Sequence, residues 1–221
     1  ADNNGEGGIL ALYALLRKMK RKWIYLLAII GASTLLADGI ITPAITVTTA
    51  IEGLESISPH LPVIPITLGI ITIIFFVQRF GTESIGKSFG VFMLIWFLLL
   101  GVTGAFSITS YPLILKAFNP YYAAMLLAKS PEWFLILGAV FLCTTGAEAL
   151  YSDLGHCGRK NITISWLFVK AMLILNYLGQ GAWVLNHIQT ASSVNPFFSI
   201  MPQSMLIFAI IMATGAAIVA S

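Results

Sequence analysis

Residues 23–51 read WIYLLAIIGASTLLADGIITPAITVTTAI, an apolar run broken only by one carboxylate, Asp38, one proline, Pro43, and small polar residues. A helix needs about 20 mostly apolar residues to cross about 30 Å of hydrocarbon, and this run exceeds that. The excess length fits a tilted helix, or one that breaks near the proline. Working outward, five more such runs follow, at about 63–80, 89–108, 133–151, 163–185 and 203–221. Trp23, Tyr25, Tyr111, Trp133, Tyr151 and Trp166 lie at or near run ends, the level at which aromatic side chains meet the headgroups. No run alternates as a barrel strand would, and a helix satisfies each backbone group within its own segment. The sequence therefore predicts an all-α polytopic membrane protein, with a loop at 1–22 followed by a six-span domain over 23–221.

Composition points the same way. Of 221 residues, 58% are hydrophobic and 10% charged, against about 25% charged in an ordinary soluble domain. Too few charges remain to cover a water-facing surface, so the lipid bilayer is the partner that composition demands. The runs recur along the whole chain, which separates them from a signal peptide. Cys143 and Cys157 lack a second C-x-x-C or a histidine cluster and read as free small residues. The opening Asp2-Asn3-Asn4-Gly5-Glu6-Gly7 resembles half a calcium loop, but Tyr13 stands where an EF-hand needs glutamate. The nearby Gly-Glu-Gly-Gly lacks the lysine of a phosphate loop. No nucleotide site and no nucleic-acid surface is expected.

Charge placement orients the spans. Arg17, Lys18, Lys20, Arg21, Lys22, Arg79, Lys87, Arg159 and Lys160 fall on one side if six helices alternate. Only Lys116 and Lys129 fall on the other, and Lys170 is near enough to the end of the fifth span to snorkel. The positive-inside rule makes the first side cytoplasmic, residues 1–22 included.

Two carboxylates lie within these spans, where an ionised side chain facing lipid costs about 2.5–3.5 kcal/mol. Asp38 is about 22 Å along the first helix at 1.5 Å per residue. Asp38, Thr42 and Thr46 share one face at i, i+4, i+8, and Pro43 removes the N–H that would bond the Gly39 carbonyl. A carboxylate, hydroxyls and a freed carbonyl are hard oxygen donors suited to an alkali cation. The plainer alternative is that Asp38 pairs with a basic residue of a neighbouring helix while the threonines pack. Thr145 and Glu148 share a face of the fourth span at i, i+3, with Gly146 between them as a place for the helix to loosen. Glu148 in apolar surroundings would favour its neutral form and so carry a proton. Its plainer alternative is an interfacial residue satisfied by water, Arg159 or Lys160. Glu52 and Glu55 form an acidic rim beyond the first span, Asp153 and His156 suit a turn and cap, and Asn176 and Gln180 suit hydrogen bonds between helices.

Enzyme chemistry finds little support. No H-E-x-x-H or G-x-S-x-G occurs. An intramembrane aspartyl protease would need Asp38 and Asp153 at one depth, and Asp153 falls in a cytoplasmic loop. No T-V-G-Y-G filter string suggests a channel.

Five strings carry a resemblance. Residues 1–8 (ADNNGEGG), 37–44 (ADGIITPA), 146–153 (GAEALYSD), 176–182 (NYLGQGA) and 195–198 (NPFF) occur in order along the chain. They resemble the KUP/HAK/KT potassium uptake permeases. The resemblance implies about twelve helices in the fold of the amino acid–polyamine–organocation superfamily, a LeuT-like inverted five-helix repeat. The six spans here would be about helices three to eight, incomplete at both ends. It also implies secondary active potassium:proton symport by alternating access in the cell membrane, with no cofactor. Potassium ligands would be Asp38, Thr42, Thr46 and Thr145, the proton-coupling residue Glu148, and an accessory glutamate Glu52. The family's helix-one string Gly-Asp-Ile-Gly-Thr-Ser-Pro-Leu-Tyr is absent, so a complete ion site is not expected in this stretch alone. A homodimer through regions outside it stays open. The rival cargo within the superfamily is an amino acid or polyamine, but the strings match the potassium branch.

Overall fold

The computed structural model describes residues 8–19, 22–56, 62–78, 83–143, 159–191 and 194–220, and they are helical almost throughout. The helices are α1 (Gly8–Leu16), α2 (Lys22–Glu52), α3 (Val63–Gln78), α4 (Glu83–Ser110), α5 (Pro120–Lys129), α6 (Trp133–Leu142), α7 (Arg159–Asn186), α8 (Pro196–Ser199) and α9 (Leu206–Ala220). Among the described residues, Lys22–Glu52, Phe89–Ser110 and Lys160–Asn186 are long and apolar enough to cross a membrane. The other three expected spans coincide with shorter apolar helices at Val63–Ile73, Trp133–Leu142 and Gln203–Val219. The far half of the expected 133–151 span lies outside the described residues. Lys22–Glu52 is one helix through Pro43, so the long first run does not break there. The stretch read as a loop at 1–22 contains α1, whose run Leu10-Ala11-Leu12 buries Ala11.

The chain forms two compact units, Ala1–Leu35 with Leu115–Phe168, and Leu36–Ile114 with Val169–Ser221. In the first, α1 lies back along the start of α2. The Ile9 side chain meets Gly31, and the Tyr13 and Tyr25 rings are 6.1 Å apart, so the two helices run antiparallel. In the same unit, the Asn119 side chain accepts from Tyr121 N at 3.0 Å and Pro120 opens α5, an ordinary N-terminal cap.

The second unit holds the core. Val47, Ala50 and Ile51 of α2 pack with Ala213 and Ala217 of α9. Leu99 of α4 packs with Met201, Ala209 and Met212. Trp96 and Phe197 border both groups and lie 5.8 Å apart, tilted. Small residues at the helix contacts let apolar helices approach closely, which matters where no hydrophobic effect drives them together. The Asn195-Pro196-Phe197-Phe198 string acquires a physical reason here. The Asn195 side chain accepts from Phe197 N at 3.0 Å and Pro196 starts the turn of α8. That turn sends Phe197 against Trp96 and Phe198 onto Gly53, where a Cβ would strike the ring.

α4 and α7 meet backbone against backbone at Gly104 and Gly179. Gly101 faces Met172, Gly104 faces Leu175 and Asn176, Gly179 faces Gly104, and Gly181 faces Ile114. Residue numbers rise together, so the helices run parallel.

Substituting Gly104 should separate the helices, because an added Cβ would meet the Leu175 carbonyl, which is backbone and cannot turn aside. At Gly215 the obstacle is the Phe92 ring, which can rotate. Gly104→Ala in the full-length protein is expected to cost on the order of 1–3 kcal/mol and to lower the thermal midpoint in detergent clearly more than Gly215→Ala. Equal midpoints for the two variants would contradict the close crossing.

Candidate functional site

The candidate site is the middle of α2, within the second unit. Asp38, Thr42 and Thr46 are each half-buried. Thr42 Oγ1 donates to Asp38 Oδ1 at 2.8 Å. Thr46 Oγ1 donates to the Thr42 carbonyl at 2.8 Å and shares its proton with the Pro43 carbonyl at 3.4 Å.

Thr42 departs from a pattern that five other threonines share, while buried Thr67 has no partner for its Oγ1 among the described residues. Thr34, Thr46, Thr48, Thr72 and Thr103 each bond a carbonyl three or four residues back along their own helix. That is the cheapest way for a hydroxyl to be satisfied in apolar surroundings. Thr42 instead reaches the side chain of the residue four back, because a carboxylate is a stronger acceptor than a carbonyl. No basic side chain among the described residues pairs with Asp38, so the ion-pair alternative finds no support there. One carboxylate oxygen is held by Thr42. The other is not taken up by any described hydrogen bond.

The local backbone adds a third oxygen. Pro43 has no N–H, so the Gly39 carbonyl lacks its usual helical donor while the helix continues. Gly39 is exposed, and a Cβ built on it would meet nothing within 4 Å. A negative carboxylate, a hydroxyl bonded to it and an under-used carbonyl thus lie within about one turn of α2. Hard oxygens of this kind can replace part of the water shell of an alkali cation.

The structure brings together Asp38 and Thr42. Thr46 stands a further turn along, about 6 Å up the helix axis, with its proton committed to the backbone. Glu52 is exposed at the end of α2 and lines an open pocket of about 500 Å³ with Thr48, Pro62, Val63, Ile64 and Pro65. It lies fourteen residues from Asp38, about 21 Å along the helix, and so belongs to a rim rather than to the same ion shell. Thr145, Glu148, Asp153, His156 and Cys157 lie outside the described residues. Cys143 is free and exposed. Among the described residues no group of three His, Cys, Asp or Glu side chains is placed to hold a metal ion. Asn176, expected to bond a neighbouring helix, is buried with no partner for Oδ1. The bond between α4 and α7 comes instead from Ser107, whose Oγ donates to the Gly179 carbonyl at 2.7 Å. The signal available in sequence was the three-residue spacing of Gly101, Gly104 and Ser107 along one helix.

Long apolar helices, side chains such as Ile40 and Phe106 more than two-thirds exposed, and a carboxylate within a helix that is held on one oxygen by its own helix define a helical integral membrane domain. An apolar surface of that extent belongs against lipid or further helices rather than water. Over residues 1–221 the sequence matches the family described as the K+ potassium transporter integral membrane domain, and the chain belongs to that family. It is a family of transporters, not of enzymes. The chain is 52% identical over 227 residues to a probable potassium transport system protein Kup of Flavobacterium psychrophilum, covering 100% of this chain and 35% of that protein. It is 54% identical over 237 residues to the protein of the same description from Latilactobacillus sakei, again 100% of this chain and 35% of the relative. A probable Kup 1 of Lactococcus lactis is 52% identical over 233 residues, 100% of this chain and 34% of the relative. The chain thus spans about a third of the length of these relatives. No solved structure matches it.

The Thr42–Asp38 bond is open to a spectroscopic check. Thr42→Val removes the donor at constant shape, whereas Thr42→Ser keeps it. Infrared difference spectra against Asp38→Asn should show the Asp38 carboxylate band shifted in Thr42→Val and unmoved in Thr42→Ser. A band indifferent to both changes would mean that Thr42 bonds elsewhere.

Proposed function

We propose that the full-length protein containing this chain takes up potassium across the cell membrane as a potassium:proton symporter working by alternating access. The observation that carries this reading is the Thr42–Asp38 pair on a membrane helix, in a chain that belongs to a potassium transporter family. The relatives are described as potassium transport system proteins, which favours potassium over an amino acid or polyamine.

In this mechanism a partly dehydrated potassium ion rests on the carboxylate of Asp38, the lone pairs of Thr42 and the Gly39 carbonyl. Helices outside this chain, and Thr145, complete its shell. Thr42 keeps its proton on Oδ1 while its oxygen meets the ion, so one hydroxyl both aligns the carboxylate and coordinates. Thr46 acts one turn further, as a step in the path rather than a primary ligand. Glu52, on the rim with its pocket, raises the local cation concentration before the ion reaches the helix interior. Glu148 carries the coupled proton. Neutralising the two carboxylates, one by an ion and one by a proton, lowers the cost of moving them through hydrocarbon.

The proposed architecture is the LeuT-like inverted repeat, with these helices as about the third to the eighth of twelve, and residues 1–22 cytoplasmic. The parallel course of α4 and α7 supports it. Parallel neighbours separated by a returning stretch are what alternating spans at 89–108, 133–151 and 163–185 would produce.

Rescue of potassium-uptake-deficient cells at low potassium tests the reading. The full-length protein should restore growth, and well-expressed Asp38→Asn should not. Thr42→Val is expected to raise the KM for potassium by about tenfold, the worth of one charge-assisted contact of about 1.4 kcal/mol, and Thr46→Val by less than about threefold, about 0.6 kcal/mol on the same scale. Rescue by Asp38→Asn at full efficiency would reduce Asp38 to a structural role, and no rescue by an inserted full-length protein would count against potassium itself.

Proton coupling has its own check. In vesicles with an imposed proton gradient, the protein should accumulate potassium above equilibrium, while Glu148→Gln should only equilibrate it. Uphill accumulation by Glu148→Gln would remove the residue from the proton path.

A further inference from the structure

The α4–α7 contact is one of backbone on backbone, and that has a mechanical consequence. A Cβ on Gly179 would lie 2.5 Å from Gly104 Cα and 2.6 Å from its carbonyl oxygen, and one on Gly104 would lie 2.7 Å from Asn176 Cα. Ser107 ties its hydroxyl to the Gly179 carbonyl at 2.7 Å across the same contact. Further contacts at Gly101 with Met172 and at Gly181 with Ile114 extend the seam at both ends.

We propose that α4 and α7 form one rigid element whose seam stays closed and in register throughout the transport cycle, so that the movements exposing the ion site occur at other contacts. The proposal rests on the transport reading above. Side-chain interfaces can slide because their side chains change rotamer, and the typical ratchet is one turn. Here a one-turn slip would bring Leu100 or Ile108 opposite Gly179, or Leu175 or Trp183 opposite Gly104, with no space for a side chain at either glycine. Opening the seam would also break the bond from half-buried Ser107 to the Gly179 carbonyl, and the hydroxyl would have to turn back to its own helix. The slide is therefore opposed by backbone that cannot adapt, and the separation by the loss of a hydrogen bond between the helices. The site on α2 has the opposite character, with half-buried residues and open space beside Gly39.

A disulfide across the seam tests this directly. A Cβ on Gly101 would lie 3.5 Å from Met172 Cα, which places the two Cα atoms no more than about 5 Å apart, within the range a disulfide spans. In the full-length protein on a background free of other cysteines, Gly101→Cys with Met172→Cys should cross-link on oxidation. Potassium uptake in the oxidised state should then stay within about twofold of that in the reduced state, a change of at most about 0.4 kcal/mol in barrier. A tenfold or greater loss on complete oxidation, reversed by reductant, would overturn the proposal. Loss of uptake in the cysteine-free background as well would strike at the transport reading instead. A second measurement then decides on the seam without any transport. Amide exchange of the unaltered protein in lipid should leave 101–107 and 175–181 among its slowest segments, clearly slower than 36–46. Exchange of the seam as fast as that of 36–46 would overturn the proposal by itself.

Discussion

Hydrocarbon offers no hydrogen bonds, and that single constraint organises this chain. Every polar group within the membrane must find its partner in protein, water or a bound ion. Thr46, Thr48, Thr72 and Thr103 of α2, α3 and α4 satisfy themselves on their own helices, whereas Thr67 of α3 keeps its enclosed Oγ1 unpartnered among the described residues. Asn119 and Asn195 close helix starts with their side chains. Asp38 is the residue that this self-sufficiency leaves short. Its one described donor, Thr42, meets a single oxygen of a group with four acceptor sites. A carboxylate so incompletely satisfied is stable in a membrane only if something else reaches it, and an alkali cation is chemically apt.

The same constraint explains why packing relies on glycine, alanine and aromatic rings. Between lipid-exposed helices the hydrophobic effect contributes little, so association depends on close contact. At Gly104 and Gly179 the absence of side chains brings backbones together. At Gly53 and Gly215 it admits the rings of Phe198 and Phe92. These are different uses of one residue: the first fixes a distance, and the second receives a side chain that can still adjust. Asn176 sits at the tighter of them with its Oδ1 enclosed and unpartnered, a cost the surrounding contacts have to offset.

Much of the helical architecture was readable from hydropathy, because length and apolarity together determine what can span a bilayer. The runs at 23–51, 89–108 and 163–185 reappear as the three longest apolar helices. The runs at 63–80 and 203–221 coincide with helix over Val63–Gln78 and over 203–220, and the run at 133–151 opens as Trp133–Leu142, its far half lying outside the described residues. The helix at Gly8–Leu16 was not foreseen, since nine residues cannot span and a span search passes over them. For the site, the spacing of Asp38 and Thr42 placed them on one face, but spacing could not say that Thr42 would prefer the carboxylate to the backbone. Nor could a helical period give the partner of Gly104. That contact joins residues some seventy positions apart, and nothing local to either glycine encodes the other.

The position of Pro43 joins these threads. A proline in a helix interior ordinarily kinks or breaks it at a cost of about 3 kcal/mol, yet α2 runs unbroken from Lys22 to Glu52. The freed Gly39 carbonyl lies next to Asp38, and the residue before the proline is Thr42, the donor to that carboxylate. Thus the interior helical bond that α2 forgoes at Pro43 is forgone beside Asp38, the carboxylate that its threonines leave partly unsatisfied. Were Pro43 a packing residue alone, it could stand anywhere along thirty residues of helix. On the potassium reading proposed above, its coincidence with Asp38, Gly39 and Thr42 concentrates oxygen and removes a hydrogen-bond donor within about one turn, as a site for a cation stripped of water requires.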